Sequence, residues 1–500
     1  MTDFDSYLAK TEEIGFVRQI VGSMIYAEGL PTAHPGEVVL FEFGGMGYVL
    51  GLTPVAVEIL LLSAEDILVG TRIARTGSTL RIKTGKEYLG TILTSDILRN
   101  EVFIFNDDAK NHRPVDGVST VFTDRKNITQ PLETGVTVVD LLVPLGIGQR
   151  ELIIGDRKTG KSNFLLQTIR TQVAKNCICI YATIAKPQLE IDRIIRFFKE
   201  NNLMHRSVIV ASNADHRAGL IYLTPYVAMT MAEHFRDKGE NVILILDDLT
   251  THARYYREIM LSAKRFPGRN SYPGDIFHIH ARLLERAGNF QKGSLTCLPV
   301  GQSILGDLSG YVQTNLMSIT DGHIFFDNDF FDQGRRPAIN PFLSVTRVGE
   351  QTQTPLVQEI GRLMRSFLTQ YDKVKQFKHF QSELNEKIRI LFDMGDRTLA
   401  FLDQSAGAIV PLNCNLILYG ALWSDFWKNV PIKDMKYQMN QLTKAYLEDK
   451  EFKQQADVLI SQSDTIEKLK TLMKANRELL VHHVSQEKDR VTDAGVQGSI

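Results

Sequence analysis

The eight residues Gly155-Asp156-Arg157-Lys158-Thr159-Gly160-Lys161-Ser162 fit the spacing Gly-x4-Gly-Lys-Ser/Thr. Glycines at such positions let successive backbone N–H groups close around an anion, and a helix starting there adds the partial positive charge of its N-terminus. In a loop of this kind Lys161 contacts the outer phosphates of a nucleoside triphosphate, and the Ser162 hydroxyl ligates magnesium. A second chemical signal is Asp247-Asp248, which closes the apolar run Val242 to Leu246. A carboxylate at the end of a buried strand downstream of such a loop orders the magnesium hydration shell, which makes Asp247 the candidate. Two aspartates at a strand end can also be an ordinary solvated terminus; the loop upstream favours the metal role.

Elements suited to hold these residues surround them. The run Glu151 to Ile154 reads as a strand entering the loop, and Leu165, Ile169 and Val173 fall on one face of the helix leaving it. Further strand candidates are Cys177 to Ile184, Ser207 to Ala211 and Leu295 to Val300, alternating with helical spacing. Residues 82–353 are therefore expected to form a mainly parallel sheet covered by helices. Upstream, residues 14–81 carry short apolar runs punctuated by glycine, the pattern of a small barrel, with Val55, Val57 and Ile59 alternating as in a half-buried strand. Downstream, residues 354–491 turn to helical spacing, with Leu356 to Arg397 and Thr465 to His483 as the longest runs and Trp423, Phe426 and Trp427 as core candidates. A short segment, residues 1–13, precedes the barrel, and residues 492–500 read as a flexible tail.

Composition narrows the functional classes. Lys plus Arg number 57 against 58 Asp plus Glu in 500 residues, so whole-chain charge gives no footprint for nucleic acid or an anionic membrane. A ring-shaped RNA translocase would further want basic and aromatic residues in quantity over residues 30–70, which are poor in both. The four cysteines, Cys177, Cys179, Cys297 and Cys414, sit in apolar runs and read as buried thiols, not metal ligands. Residues 1–15 lack a basic start and an apolar core, and Tyr48 to Gly70 is interrupted by Pro54, Glu58, Glu65 and Asp66, so neither a secretory signal nor a membrane span is expected. A cytoplasmic protein meeting a membrane only through partners is the resulting expectation, and the triplet Asn127-Ile128-Thr129 is then a chance glycosylation match.

Longer motifs make the reading specific. Gly148 to Arg157 (GQRELIIGDR), Tyr272 to Phe277 (YPGDIF), Arg282 to Ala287 (RLLERA), Ser318 to Gly322 (SITDG), Gly334 to Asn340 (GRRPAIN) and Leu343 to Gly349 (LSVTRVG) resemble the alpha subunit of F-type rotary ATPases, in the same order. The resemblance runs from about Gly15 into the helical region and is strongest between Pro131 and Gly361. It implies a barrel, a RecA-like P-loop domain and a helical domain. It further implies an alternating ring of three pairs with a beta-type catalytic subunit around a gamma-type central shaft, and an alpha site that binds Mg-ATP without turning it over. Arg347 matches the family's arginine finger, which acts in trans at the partner's catalytic site, with Ser318 and Val345 as neighbours of that shared site. Arg336, Pro337 and Gln404 match residues on the base side of the chain's own nucleotide.

Some residues depart from the family. Hydrolytic relatives place a glutamate after the strand corresponding to Cys177 to Ile184; here the chain reads Ala185-Lys186-Pro187-Gln188. An ammonium cannot accept a proton from water, so hydrolysis at this site should be very slow. Glu190 is the alternative carboxylate, displaced beyond Pro187. The same absence disfavours a catalytic homohexamer of the secretion type. The base-side loop Asp403-Gln404-Ser405-Ala406-Gly407-Ala408 differs from the family's, and Lys158 stands where a glutamine is common. A short segment before the barrel and the unusual run Leu98 to Arg113 point to a divergent complex, for instance one driving gliding or other mechanical work.

Overall fold

The computed structural model describes residues 3–63, 66–94, 97–104, 112–117, 122–377 and 386–484. The chain divides into two compact units: Met1–Ile128 with Ile147–Arg157 and Gln172–His323, and Thr129–Gly146 with Lys158–Thr171 and Ile324–Ile500.

The first unit opens with a helix, Asp3–Thr11, followed by the six strands β1 (Ile14–Val21), β2 (Met24–Glu28), β3 (Glu37–Phe41), β4 (Met46–Leu52), β5 (Val57–Leu61) and β6 (Arg72–Thr79). They close into a barrel in the order β1-β2-β5-β4-β3-β6. Val17, Ile25, Val39, Phe41, Val49, Ile59 and Ile73 fill it. Gly47 has to be glycine, because a Cβ there would stand 2.4 Å from Ile59 Cγ2. Val57 and Ile59 enter the barrel core as expected, but the half-burial expected along β5 is not found: all of Val57–Leu61 is buried, and Val55 lies before the strand and is exposed. Both faces are covered: one meets the barrel core, and on the other Leu60 lies against Gly219 of helix Ala218–Asp237 while Arg265 holds buried Glu58 at 2.6 Å.

Beyond the barrel, part of the unusual segment builds a small antiparallel sheet, with Arg81–Lys83 flanked by His112–Pro114 and Phe103–Ile104; Phe105 lies outside the described residues. The main sheet of this unit is parallel as expected. Its strands Leu152–Gly155, Ser294–Gln302, Asn241–Asp247, Ile178–Lys186, Ser207–Asn213 and Ile92–Thr94 neighbour one another in that order. Parallel strands covered on both faces read as continuous apolar runs, and Val242–Leu246 is almost wholly inaccessible. The shared direction places Gly155, Gln302, Asp247 and Lys186 on one edge, the carboxyl edge where ligands of open α/β sheets bind.

The second unit gathers helix Thr137–Leu142, most of helix Lys161–Ala174 and the C-terminal helices Pro355–Phe377, Glu386–Leu402, Leu412–Trp423, Ile432–Glu448, Lys450–Ser461 and Ile466–Ala475. Leu412–Trp423 is buried from Cys414 to Leu422, as expected of a helix apolar all round and ringed by others. Trp427 is buried with its indole N–H donating to Gln438 Oε1 at 2.8 Å. Beside it, Arg397 donates to the carbonyls of Trp427 (2.8 Å) and Val430 (2.7 Å). The run expected from Leu356 to Arg397 holds two helices with residues 378–385 outside the described set, as is the tail 492–500. Among the described residues no helix is long and apolar enough to cross a membrane.

Candidate functional site

The strand Leu152–Gly155 stops where the glycine-rich loop begins, and helix Lys161–Ala174 starts at its last two residues. Gly155 is in register with Gln302 of the neighbouring parallel strand. Gly160 (φ 105°) and Lys158 (φ 67°) both take left-handed backbone, tolerated at Gly160 because it lacks a Cβ. Asp156 fixes the entrance of the loop by accepting from the Ser303 hydroxyl and from Gly306 N (3.2 Å). Arg157 is exposed and donates to Gln302 Oε1 at 3.3 Å, while Lys158 and Ser162 are exposed and Thr159 and Lys161 are buried. The helix is seated by Leu165 and Ile169, both fully buried, and by Phe164, whose ring lies 5.9 Å from that of Phe326.

At the carboxyl edge, Asp247 is engaged at both oxygens: Oδ1 is 2.9 Å from the Lys186 ammonium, and Oδ2 accepts from the Tyr181 hydroxyl at 2.9 Å. The register pairs Thr183 with Asp247, and the chain then turns through Ala185 (φ 51°), allowing the Lys186 side chain to return to the carboxylate. Burial alone would lower the Lys186 pKa, but Asp247, Asp248 and Glu190 reverse this and raise it, so the ammonium is kept. Glu190 is half exposed and lies 3.7 Å from that ammonium. Asp248 caps helix Leu249–Ser262, accepting from Thr251 N at 2.6 Å and from Gln302 Nε2 at 2.6 Å. Burial is the main cause raising the Asp248 pKa, opposed by Lys186.

As a magnesium site this arrangement fits in part. The exposed Ser162 hydroxyl is of the right type. The carboxylate expected to order the hydration shell is not free, since Asp247 carries a cation on one oxygen and a hydroxyl donor on the other. Among the described residues no cluster of three or more His, Cys, Asp or Glu could hold a metal. The four cysteines are unbridged and buried, with burial pushing the thiols of Cys177 and Cys414 up to about 12.

Arg336, Pro337 and Gln404 come together in the second unit. Gln404 N donates to Arg336 O at 2.6 Å, and Arg336 N donates to Asp403 Oδ1 at 3.0 Å. Arg336 and Pro337 line a cavity of about 570 Å³ with Phe330, Phe342, Leu402 and Lys436. The Arg336 guanidinium lies 3.8 Å from the centre of the Phe331 ring. Gln404 itself is buried with its amide pointed into the protein: Oε1 accepts from Thr137 N (2.9 Å), and Nε2 donates to Gly135 O and Ala408 O (2.7 Å each).

Arg347 follows the short strand Val345–Thr346 and is exposed; among the described residues it has no ion-pair partner. Phe342, Leu343 and Val345 near it in the chain are exposed as well. Thr346 Oγ1 donates to Pro144 O (3.0 Å) and accepts from Gly349 N (3.1 Å), anchoring the turn that carries Arg347. Ser318 lies in the first unit on helix Tyr311–Ile319, exposed, its hydroxyl donating to Asn315 O at 2.8 Å. Sequence reasoning passed over Gln302 and Tyr181. Each is a lone polar group in or beside an apolar strand, and only the register reveals that it meets Asp248 or Asp247.

A parallel sheet whose strand Leu152–Gly155 runs into a phosphate-type loop followed by a helix, with a six-strand barrel upstream and a helical domain downstream, defines a P-loop nucleotide-binding subunit of three-domain architecture. Residues 135–346 match the model of the ATP synthase alpha/beta family, nucleotide-binding domain, and residues 353–480 that of the ATP synthase alpha/beta chain, C terminal domain. The chain belongs to the ATP synthase alpha/beta family. It is 36% identical over 436 residues to the ATP synthase subunit alpha of Dictyoglomus turgidum, covering 85% of each chain. It is 34% identical over 459 residues to that of Carsonella ruddii (89% of this chain and 95% of the relative). To that of Dictyoglomus thermophilum it is 36% identical, covering 85% of this chain and 84% of the relative.

Proposed function

We propose that this chain is the alpha-type, non-catalytic subunit of a hexameric F-type-like rotary ATPase. It holds ATP or ADP on the loop Gly155 to Ser162 and supplies Arg347 to the catalytic site of a beta-type partner. The observation that carries the non-catalytic reading is Lys186. Its ammonium, 2.9 Å from Asp247, stands where a general base would be required, and it cannot take a proton from water. Glu190, the other carboxylate nearby, is half exposed and lies 3.7 Å from the same ammonium. The exposed apolar residues Phe342, Leu343 and Val345 support placing Arg347 at an interface, where a guanidinium can stabilise charge developing on the transferred phosphoryl group.

Alternation with the beta-type subunit in three pairs, a gamma-type shaft, and a location peripheral to the inner face of the cell membrane through partner subunits follow from the same reading. The relatives named ATP synthase subunit alpha support it. The test is to purify the chain alone and with its co-purifying beta-type partner. The isolated chain should bind ATP with negligible turnover and the mixture should hydrolyse it; robust hydrolysis by the isolated chain would sink the reading.

A further inference from the structure

The nucleotide site proposed above has a cation built into it. On the carboxyl edge of the first unit's sheet, polar contacts run from Arg157 of the phosphate loop to Asp248, next in the chain to the residue that holds Lys186. Arg157 Nε donates to Gln302 Oε1 (3.3 Å), and Gln302 Nε2 donates to Asp248 Oδ2 (2.6 Å). Asp247, the adjacent residue, holds the Lys186 ammonium at 2.9 Å.

Magnesium beside a phosphate loop keeps several waters, and its hydration shell is oriented by carboxylate oxygens that accept from those waters. In this arrangement every one of the four aspartate oxygens already carries a protein donor. Asp247 Oδ1 faces Lys186 and Oδ2 faces the Tyr181 hydroxyl; Asp248 Oδ1 accepts from Thr251 N, and Oδ2 from Gln302 and the Thr251 hydroxyl (3.1 Å). An inserted dication would also meet the positive charge of Lys186 at close range, in a place where Asp247 is 4% exposed and screening by water is weak. Lys186 in turn cannot leave cheaply, because its departure strands the buried carboxylate.

We propose that this chain's own site holds its nucleotide without requiring a divalent cation, the Lys186 ammonium fixed on Asp247 supplying the positive charge that magnesium supplies in other P-loop proteins. The inference rests on the proposed nucleotide site, and the two can fail separately. ATP binding to the full-length isolated chain is measured by calorimetry with excess magnesium and with EDTA. Bound manganese is counted by electron paramagnetic resonance in the presence of ATP.

The expected wild-type result is an affinity in EDTA within about threefold of that in magnesium, and no manganese signal assignable to a protein-bound ATP complex. Lys186→Gln should make binding at least about tenfold tighter with magnesium than without and should acquire that manganese signal. Lys186→Arg, which keeps the charge, should retain the indifference to metal; if the glutamine variant does not fold, the wild-type comparison of magnesium with EDTA and the manganese count decide alone. Wild-type binding that needs magnesium overturns the inference and leaves the nucleotide site standing. So does a folded Lys186→Gln that stays indifferent to metal. Failure to bind ATP under either condition overturns the nucleotide reading together with the inference.

Discussion

Gln404 Oε1 accepts from Thr137 N at 2.9 Å, so the loop following helix Glu386–Leu402 is pinned to the start of helix Thr137–Leu142 by one side chain. The other end of the amide serves Gly135 O and Ala408 O, and Gln167 Nε2 reaches Ala408 O as well, at 2.6 Å. Gln404→Ala would leave the Thr137 N–H buried without its partner, at about 1 to 3 kcal/mol, while the Gly135 carbonyl still accepts from Val410 N at 3.1 Å. We expect a stability loss of about 1 to 3 kcal/mol in chemical denaturation. The ratio of ATP to GTP affinity should move by less than about threefold, because the amide faces the protein and not a base. A large change in that ratio with unchanged stability would contradict the geometry.

Arg347 carries the trans contribution in the proposed function. Arg347→Ala in the assembled complex should lower turnover by about 10³ to 10⁵, the range for arginine fingers. Arg347→Lys should recover little, since an ammonium lacks the planar fork of donors. ATP affinity of the isolated variant should match wild type, because Arg347 is exposed on the turn anchored by Thr346 and makes no ion pair among the described residues. Normal turnover by the Arg347→Ala complex would remove the finger assignment.

What could be read from the chain alone follows the range over which each feature is determined. The phosphate loop was legible because its chemistry is set by contiguous residues, and the parallel strands because burial on both faces writes an unbroken apolar run. Lys186 was legible as a residue type but its pairing with Asp247 was not. That pairing depends on Thr183 standing opposite Asp247 and on the left-handed turn at Ala185. Val55 and Glu58 were misread for a related reason: alternation presumes one solvated face, whereas β5 is buried throughout and Glu58 is held by Arg265. The direction of the Gln404 amide likewise rests on Gly135 and Thr137, far away in sequence. A motif match carries a position over to a new chain, but not the contacts of its side chain.

A buried histidine pair gives the first unit a dependence on acid. His252 Nε2 donates to Tyr222 O at 3.0 Å, leaving Nδ1 to accept from His280 Nε2 at 3.1 Å, with Tyr222 and Tyr226 packed on the His252 ring. Burial lowers the His252 pKa to about 4, and burial with the neighbouring His252 lowers that of His280 well below its ordinary value. An unfolded histidine titrates near 6.5. Below that pH the unfolded chain takes up protons that the native state refuses, so stability is full above about pH 6.5 and is lost as pH falls toward the native values. Each histidine contributes up to about 1.4 kcal/mol per pH unit in that window. Urea midpoints measured from pH 7.5 to 5 should fall, and the double variant His252→Gln/His280→Leu should flatten the decline; an equal slope in the variant would refute the assignment.

Lys186 and Asp247 also define a coupling that stability alone can report. Removing one partner of a buried ion pair leaves the other charged and poorly solvated, at about 3 to 5 kcal/mol, while replacing both by groups of similar shape is often neutral. Asp247 is 4% exposed and Lys186 16%, so the pair falls in that regime. Lys186→Met should therefore destabilise the chain by about 3 to 5 kcal/mol. Asp247→Asn on its own should cost less, since Glu190 remains 3.7 Å from the ammonium. The double variant should recover most of the loss, because the carboxamide oxygen introduced by Asp247→Asn can still accept from the Tyr181 hydroxyl that now donates to Asp247 Oδ2. A double-mutant cycle in nucleotide-free protein measures this; single losses that simply add would mean that the two side chains are not energetically joined. Agreement in the absence of nucleotide would place the cation in the site before any ligand arrives, as the metal-independent binding of ATP requires.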